Sequence, residues 1–202
     1  RARETAEENL RQAIRLAPRH YWAHLGLGSV LMGQNPDAAE LAFNACRGLR
    51  PDDEAVEFVR GTQFSALAQQ ESDPAKRSKY FRAAQADFEV VLRRNPRNVV
   101  AHINRARAHS REGNLQAALA ALDVGLRVLP ANPLLLAQRA RNRYGNRDFA
   151  GAIVDATEAL RTDPANEEAY HYRARSRFLL HEIDAALGDF NEAIRINPWS
   201  SY

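Results

Sequence analysis

Six prolines set the terms on which this chain can fold. Pro18, Pro51, Pro96, Pro130, Pro164 and Pro198 follow one another at separations of 33, 45, 34, 34 and 34 residues. Each closes an amphipathic stretch of the same kind, from "AEENLRQAIRLAP" through "AQADFEVVLRRNP" to "ALGDFNEAIRINP". Apolar residues recur in these stretches at the spacing of one helix face. Proline ends such a helix because it lacks the amide hydrogen of the ladder and disfavours the helical state of the residue before it. After each proline a few polar residues lead into a second helical stretch, as in "RNVVAHINRARAHSREG" and "ANEEAYHYRARSRFLLHE". The period thus predicts two antiparallel helices per 34 residues and no strands. A lone hairpin cannot bury its apolar face, so the hairpins must stack.

Small residues recur where two stacked helices have to cross closely: Gly28, Gly61, Ala106, Ala140 and Ala174. From His24 the order is Leu27-Gly28, Ala39, Phe43, Cys46, Pro51; in the last repeat it is Tyr170, Arg173-Ala174, Ala186, Phe190, Ala193, Pro198. Bulky, Leu-Gly, small, aromatic, small, proline is a pattern that resembles the tetratricopeptide repeat, and the resemblance covers essentially the whole chain. It implies an all-α, right-handed superhelical solenoid of antiparallel helix pairs. On this reading residues 1–18 hold the second helix of a truncated repeat, and full repeats occupy 19–51, 52–96, 97–130, 131–164 and 165–198. Residues 199–202 begin a further segment, and the start at Arg1 reads as a cut in a longer protein. The 52–96 repeat carries an insertion near 69–79, read as two lengthened helices around a turn at 72–74, with Asp73-Pro74 starting the second. Cys46, the sole cysteine, falls where other repeats place Ala, Val or Gly, so it reads as a packing thiol rather than a reactive one.

The tripeptide Arg-Ala-Arg recurs at the 34-residue period, at 105–107, 139–141 and 173–175. Its two arginines sit about 200° apart around a helix and cannot share a task. The first, with Arg60 as the equivalent in an earlier repeat, lies on the packed side where the resembling family has Leu. A charge there needs a partner, because a buried unpaired guanidinium is costly. Second helices supply acids at one matching place, so the expected pairs are Arg60 with Asp87, Arg139 with Asp155 and Arg173 with Asp189. Arg105 faces Ala121 instead. Pairing within or between repeats stays open at this stage. Arg143 and Arg177 fall between helices and are expected to lie over the neighbouring repeat.

The last arginines, Arg107, Arg141 and Arg175, belong to the opposite stripe, which the resemblance places in a concave groove that binds partner segments. Asn104, Gln138, Tyr144, His171, Tyr172 and Phe178 share that stripe. Arginine beside aromatic residues is the composition of a peptide hot spot. The expected function is a non-catalytic scaffold that takes a protein or peptide segment, with acidic residues, into the groove. The family's clamp for chaperone tails uses lysine, and the inner helices here have none; both lysines, Lys76 and Lys79, are in the insertion. A regulatory or self-assembly module of a larger multidomain protein is the alternative, with association through uncapped ends. An RNA-binding helical repeat is a weaker one, since the net charge is only +3 and acids are spread throughout.

Catalysis finds no constellation. His20 and His24 stand four apart without an acid partner, His102 and His109 read as packing residues, and neither a metal nor a cofactor is expected. The longest apolar runs, such as "PLLLA", are far shorter than the roughly 20 residues that cross a bilayer, and one cysteine mildly favours a reducing compartment. The cytoplasm is the expected location, with any targeting signal lost in the flanks.

Overall fold

The computed structural model describes residues 2–199, so most of the further segment expected at 199–202 lies outside the described residues. It contains eleven α-helices and no strand among them: α1 (Ala2–Leu16), α2 (Tyr21–Leu31), α3 (Pro36–Leu49), α4 (Ala55–Gln70), α5 (Pro74–Arg94), α6 (Val99–Arg111), α7 (Leu115–Val128), α8 (Pro133–Gly145), α9 (Phe149–Thr162), α10 (Glu167–Leu179) and α11 (Ile183–Ile196). They gather into two compact units, Arg1–Asn95 with α1 to α5 and Pro96–Tyr202 with α6 to α11.

Local chemistry sets the helix ends. Side-chain oxygens of Asn35, Asp73, Asn98, Asn114, Asn132, Asp148 and Asn166 accept hydrogen bonds from amides in the first turns of α3 and α5 to α10. Pro36, Pro74 and Pro133 stand in first turns, where no amide hydrogen is missed. Within the inserted stretch, α4 runs to Gln70 and α5 starts at Pro74.

The turns inside the last three hairpins repeat one left-handed residue at the 34-residue period: Gly113 (φ 90°), Arg147 (φ 61°) and His181 (φ 64°). Only glycine adopts this conformation without crowding its Cβ. Replacing Arg147 and His181 by glycine is therefore expected to stabilise the protein by up to about 1 kcal/mol per site, with glycine's extra freedom in the unfolded chain offsetting part of the gain. Urea unfolding of Arg147→Gly and His181→Gly reads this directly, and a loss of stability in both would contradict it.

Residue sizes at the helix crossings are matched. Gly28 faces Phe43, and a Cβ on it would stand 2.5 Å from the ring. Gly61 faces Phe88 in the same way, at 3.1 Å. In the second unit Ala106, Ala140 and Ala174 hold those crossings, against Leu122, Ala156 and Phe190 at the position of Phe43. Phe43, Phe88, Leu122 and Ala156 are fully buried, whereas Phe190 is only half-buried. The second unit's core is built from alanine and leucine, among them Ala118, Leu122, Leu135, Ala140 and Ala156.

Within the second unit the first helices of successive hairpins touch, α6 against α8 and α8 against α10. The second helices α7, α9 and α11 make no contact with one another among the described residues. Close packing on one layer and spreading on the other bends this unit so that α6, α8 and α10 form its concave side.

Candidate functional site

In the last two tripeptides the first arginine is held from two directions. Arg139 on α8 donates from Nε and Nη2 to the two carboxylate oxygens of Asp155 on α9, at 2.8 and 2.7 Å. Its third nitrogen, Nη1, reaches Asp123 on α7 of the preceding hairpin at 2.7 Å. Arg173 repeats the arrangement with Asp189 (2.9 and 2.6 Å) and turns Nη1 to Thr157 (3.3 Å). In the first unit Arg60 grips Asp87 (2.9 and 2.6 Å) and sends Nη1 to Glu40 (3.0 Å). One guanidinium thus ties a hairpin together and joins it to its neighbour. The planar fork of arginine allows this and a lysine ammonium would not.

Arg143 and Arg177 differ from expectation. Instead of lying over the next repeat they turn back into their own hairpins, Arg143 Nη1 to Asp155 (3.2 Å) and Arg177 Nη1 to Asp189 (2.7 Å). Each stands four residues after Arg139 or Arg173, on the same helix face. Two arginines therefore share each buried carboxylate. A comparable cluster in the first unit has no signature in the repeat pattern: Glu57, buried, accepts from Arg47 and Arg94, both at 3.0 Å. Arg105, opposite Ala121, lies instead within electrostatic reach of His102 and His109.

The second arginines occupy the concave side of the second unit. Arg107 on α6 donates from Nε to the Gln138 side chain at 2.8 Å. Arg141 on α8 has its guanidinium 5.9 Å from the Tyr172 ring centre and its Nη1 3.5 Å from Glu168. Arg175 on α10 lies 4.5 Å over the Tyr144 ring, and His171 Nε2 accepts from its Nη1 at 3.5 Å. Arg111, one turn beyond Arg107, joins them, although it falls outside the tripeptides. Burial and then the charges of Arg141 and Arg107 lower its pKa. Its place four residues after Arg107 is the sequence signal that points to it.

Three residues expected on the open stripe are buried: Gln138, 1% exposed, His171 and Tyr172. Gln138 and Tyr172 lie three residues before Arg141 and Arg175, and His171 four before Arg175. Those spacings keep all three on the same side of the helix as the arginines, but deeper. They contact the arginines from below. Asn104 and Tyr144 are half-buried, and Phe178 is 54% exposed. Tyr144, Arg175, Phe178, Leu179 and Phe190 enclose an open cleft of about 410 Å³ at one end of the row.

The sequence profile described as tetratricopeptide repeat matches residues 3–54, 76–133 and 138–200. The chain belongs to the tetratricopeptide repeat family. Solved tetratricopeptide structures share the fold. MamA from Desulfovibrio magneticus RS-1 superposes with a TM-score of 0.64 at 12% identity, covering 90% of this chain and 97% of that one. TTC0263, a thermophilic tetratricopeptide protein from Thermus thermophilus, gives 0.63 at 19%, covering 87% and 91%. YrrB, described as a tetratricopeptide protein with an unusual peptide-binding site, gives 0.59 at 14%, covering 96% and 94%. No curated protein sequence matches the chain. The fold class is thus the all-α helical-repeat solenoid of this family.

Among the described residues of this tetratricopeptide chain no His, Cys, Asp or Glu cluster could hold a metal ion. No described helix is long and apolar enough to cross a membrane. Cys46 is buried with its thiol toward the Tyr21 carbonyl, and burial raises its pKa to about 11, which suits packing rather than nucleophilic chemistry.

Two buried histidines give the second unit a pH dependence. Burial, reinforced by Arg175 and Arg141 and opposed by Glu167, lowers the pKa of His171. Burial also lowers that of His102, outweighing the bond its Nε2–H donates to the Pro96 carbonyl (2.9 Å). With folded-state pKa values below the unfolded value of about 6.5, the unfolded chain binds more protons as the pH drops past that value, so stability falls there and is unaffected above it. Thermal unfolding between about pH 7.5 and about pH 5 should show this decline, flattened in a His102→Gln, His171→Gln double variant. An equal slope in the double variant would assign the decline to other groups.

Proposed function

We propose that this protein is a non-catalytic interaction scaffold whose second unit takes a partner segment carrying acidic residues along the concave side of α6, α8 and α10. The observation that carries the reading is the row Arg107, Arg141 and Arg175, joined by Arg111, with Glu168 the one carboxylate bonded to it among the described residues. Its guanidinium groups rest on Gln138, Tyr172 and Tyr144, so much of the entropy cost of ordering them is met before binding. Buried carboxylates neutralise Arg139 and Arg173, whereas this row keeps a net positive charge for a partner. Peptide binding by a tetratricopeptide groove has a parallel in the description of YrrB.

Affinity capture from lysate with the wild-type chain and with an Arg107→Glu, Arg141→Glu, Arg175→Glu variant tests the proposal. Loss of the same proteins in the variant, with nuclease treatment of no effect, supports it. An unchanged set of captured proteins counts against the groove, and nuclease-sensitive capture would point to RNA. A second reading, self-association, draws on α11, where Leu187 and Ile194 are exposed while Leu160, the counterpart of Ile194 one repeat earlier, is buried. Concentration-dependent sedimentation decides it.

A further inference from the structure

We infer that the segment bound in the second unit is extended in a polyproline II conformation, with an acidic residue at every third position and a bulky apolar residue beside the acid that meets Arg175. This rests on the groove reading above and adds its register. Arg107, Arg141 and Arg175 occupy one position in three successive repeats, on first helices that pack directly against each other. Packed helix axes stand about 8–10 Å apart, so the guanidinium row should repeat at about that interval.

Few peptide conformations present like side chains on one side at that spacing. A β-strand returns to the same face every second residue, after about 6.7 Å, or every fourth, after about 13 Å, and misses the interval both ways. Polyproline II has three residues per turn and rises about 3.1 Å per residue, so positions i, i+3 and i+6 share a face at about 9.3 Å. An α-helical segment comes next, with i and i+7 about 10.5 Å apart, but it is about 10 Å across and shields its backbone groups. Polyproline II leaves those groups free for donors such as the Asn104 carboxamide on the same stripe.

The apolar requirement comes from the end of the row. The cleft between Tyr144, Phe178, Leu179 and Phe190 adjoins Arg175, and its volume of about 410 Å³ accommodates a large side chain. Phe190 helps to line it because its ring is not swallowed by the core as Phe43 and Phe88 are. In the first unit the positions equivalent to Arg107 are Ser29 and Thr62, so neither carries a cation there. The register is a property of the second unit alone.

Labelled synthetic peptides of one composition and length test this by fluorescence anisotropy, with Glu at every third, every second or every seventh position and one Trp next to the final Glu. The every-third peptide is expected to bind the full chain about tenfold more tightly than the others, the equivalent of about 1.4 kcal/mol. Changing its middle Glu to Gln and changing Arg141→Gln should each weaken binding, and the two losses together should fall short of their sum. Trp to Ala in the peptide should weaken binding to wild type but have little further effect on a Phe178→Ala variant. Equal affinity for the three spacings, with binding still lost in the triple Arg→Glu variant, would overturn the register while leaving the groove reading intact. Preference for the every-seventh peptide would overturn the extended conformation. Binding of all three that is indifferent to the triple variant would overturn both.

Discussion

Asp155→Ala is expected to cost about 3 kcal/mol of folding stability, the low end of what breaking a buried ion pair does. The carboxylate is almost wholly buried and receives three arginine hydrogen-bond or ion-pair contacts, two from Arg139 and one from Arg143. Removing it leaves two guanidinium groups, one turn apart on α8, without the α9 carboxylate that they share. Both retain some relief, Arg139 through Asp123 and Arg143 through the Gly151 carbonyl at 3.0 Å, which is why the upper end of the range is not expected. In a chain of this size each kcal/mol moves the melting temperature by about 2–4 °C, so the drop should be about 10 °C. Asp155→Asn keeps an acceptor but not the charge and should fall between. Because a buried ion pair recovers its desolvation cost only in part, Arg139→Met with Asp155→Leu should restore much of the loss. Thermal unfolding of the three variants measures all of this. An Asp155→Ala protein that melts with the wild type would show that the arginines find equivalent partners in solvent.

The third hairpin from the end shows how the repeat manages without that acid. Ala121 takes the place of Asp155 and is buried among Ala118, Leu122 and Ala106. The sequence makes this difference visible, because a 34-residue offset superimposes Ala121, Asp155 and Asp189. Period and angle are what such a sequence encodes plainly: proline spacing sets helix number, and about 100° per residue separates Arg139 from Arg141. Depth is encoded less well. Gln138, His171 and Tyr172 share a stripe with the groove arginines, yet they are buried in contact with them. Arg143 and Arg177 depart from expectation for a related reason: their direction is clear, but a guanidinium on a long side chain can turn toward either neighbour, and the nearest carboxylate decides. The left-handed conformation of Arg147 and His181 is recognisable only by aligning them with Gly113, since neither residue type announces it. The division into two compact units leaves no mark in the proline period beyond the longer step ending at Pro96.

The Arg107→Glu, Arg141→Glu, Arg175→Glu variant should behave in the opposite way to Asp155→Ala, folding normally and losing its partner. None of the three arginines is bonded to a buried carboxylate. Arg107 bonds a neutral amide, Arg141 a partly exposed glutamate at 3.5 Å, and Arg175 an aromatic face and a neutral imidazole. Surface interactions of this kind contribute about 0–1 kcal/mol each, so the melting temperature should move by only a few degrees. Binding is affected far more, because each substitution replaces an attraction to the partner's carboxylate by a repulsion. At about 1–2 kcal/mol per reversed contact the three together should weaken affinity by about 100-fold or more, with the association rate falling most at low salt. Circular dichroism melting beside anisotropy titration separates the two quantities on one sample. Arg173→Ala, two residues from Arg175 on the same helix, should reverse the outcome: it leaves Asp189 inside the hairpin with Arg177 alone and lowers stability, while its effect on binding is limited to what the loosened α10 transmits. If Arg173→Ala and the triple variant impair binding and stability in the same proportion, the two arginines of the tripeptide do one job, and the groove is no more than the outer surface of a packed repeat.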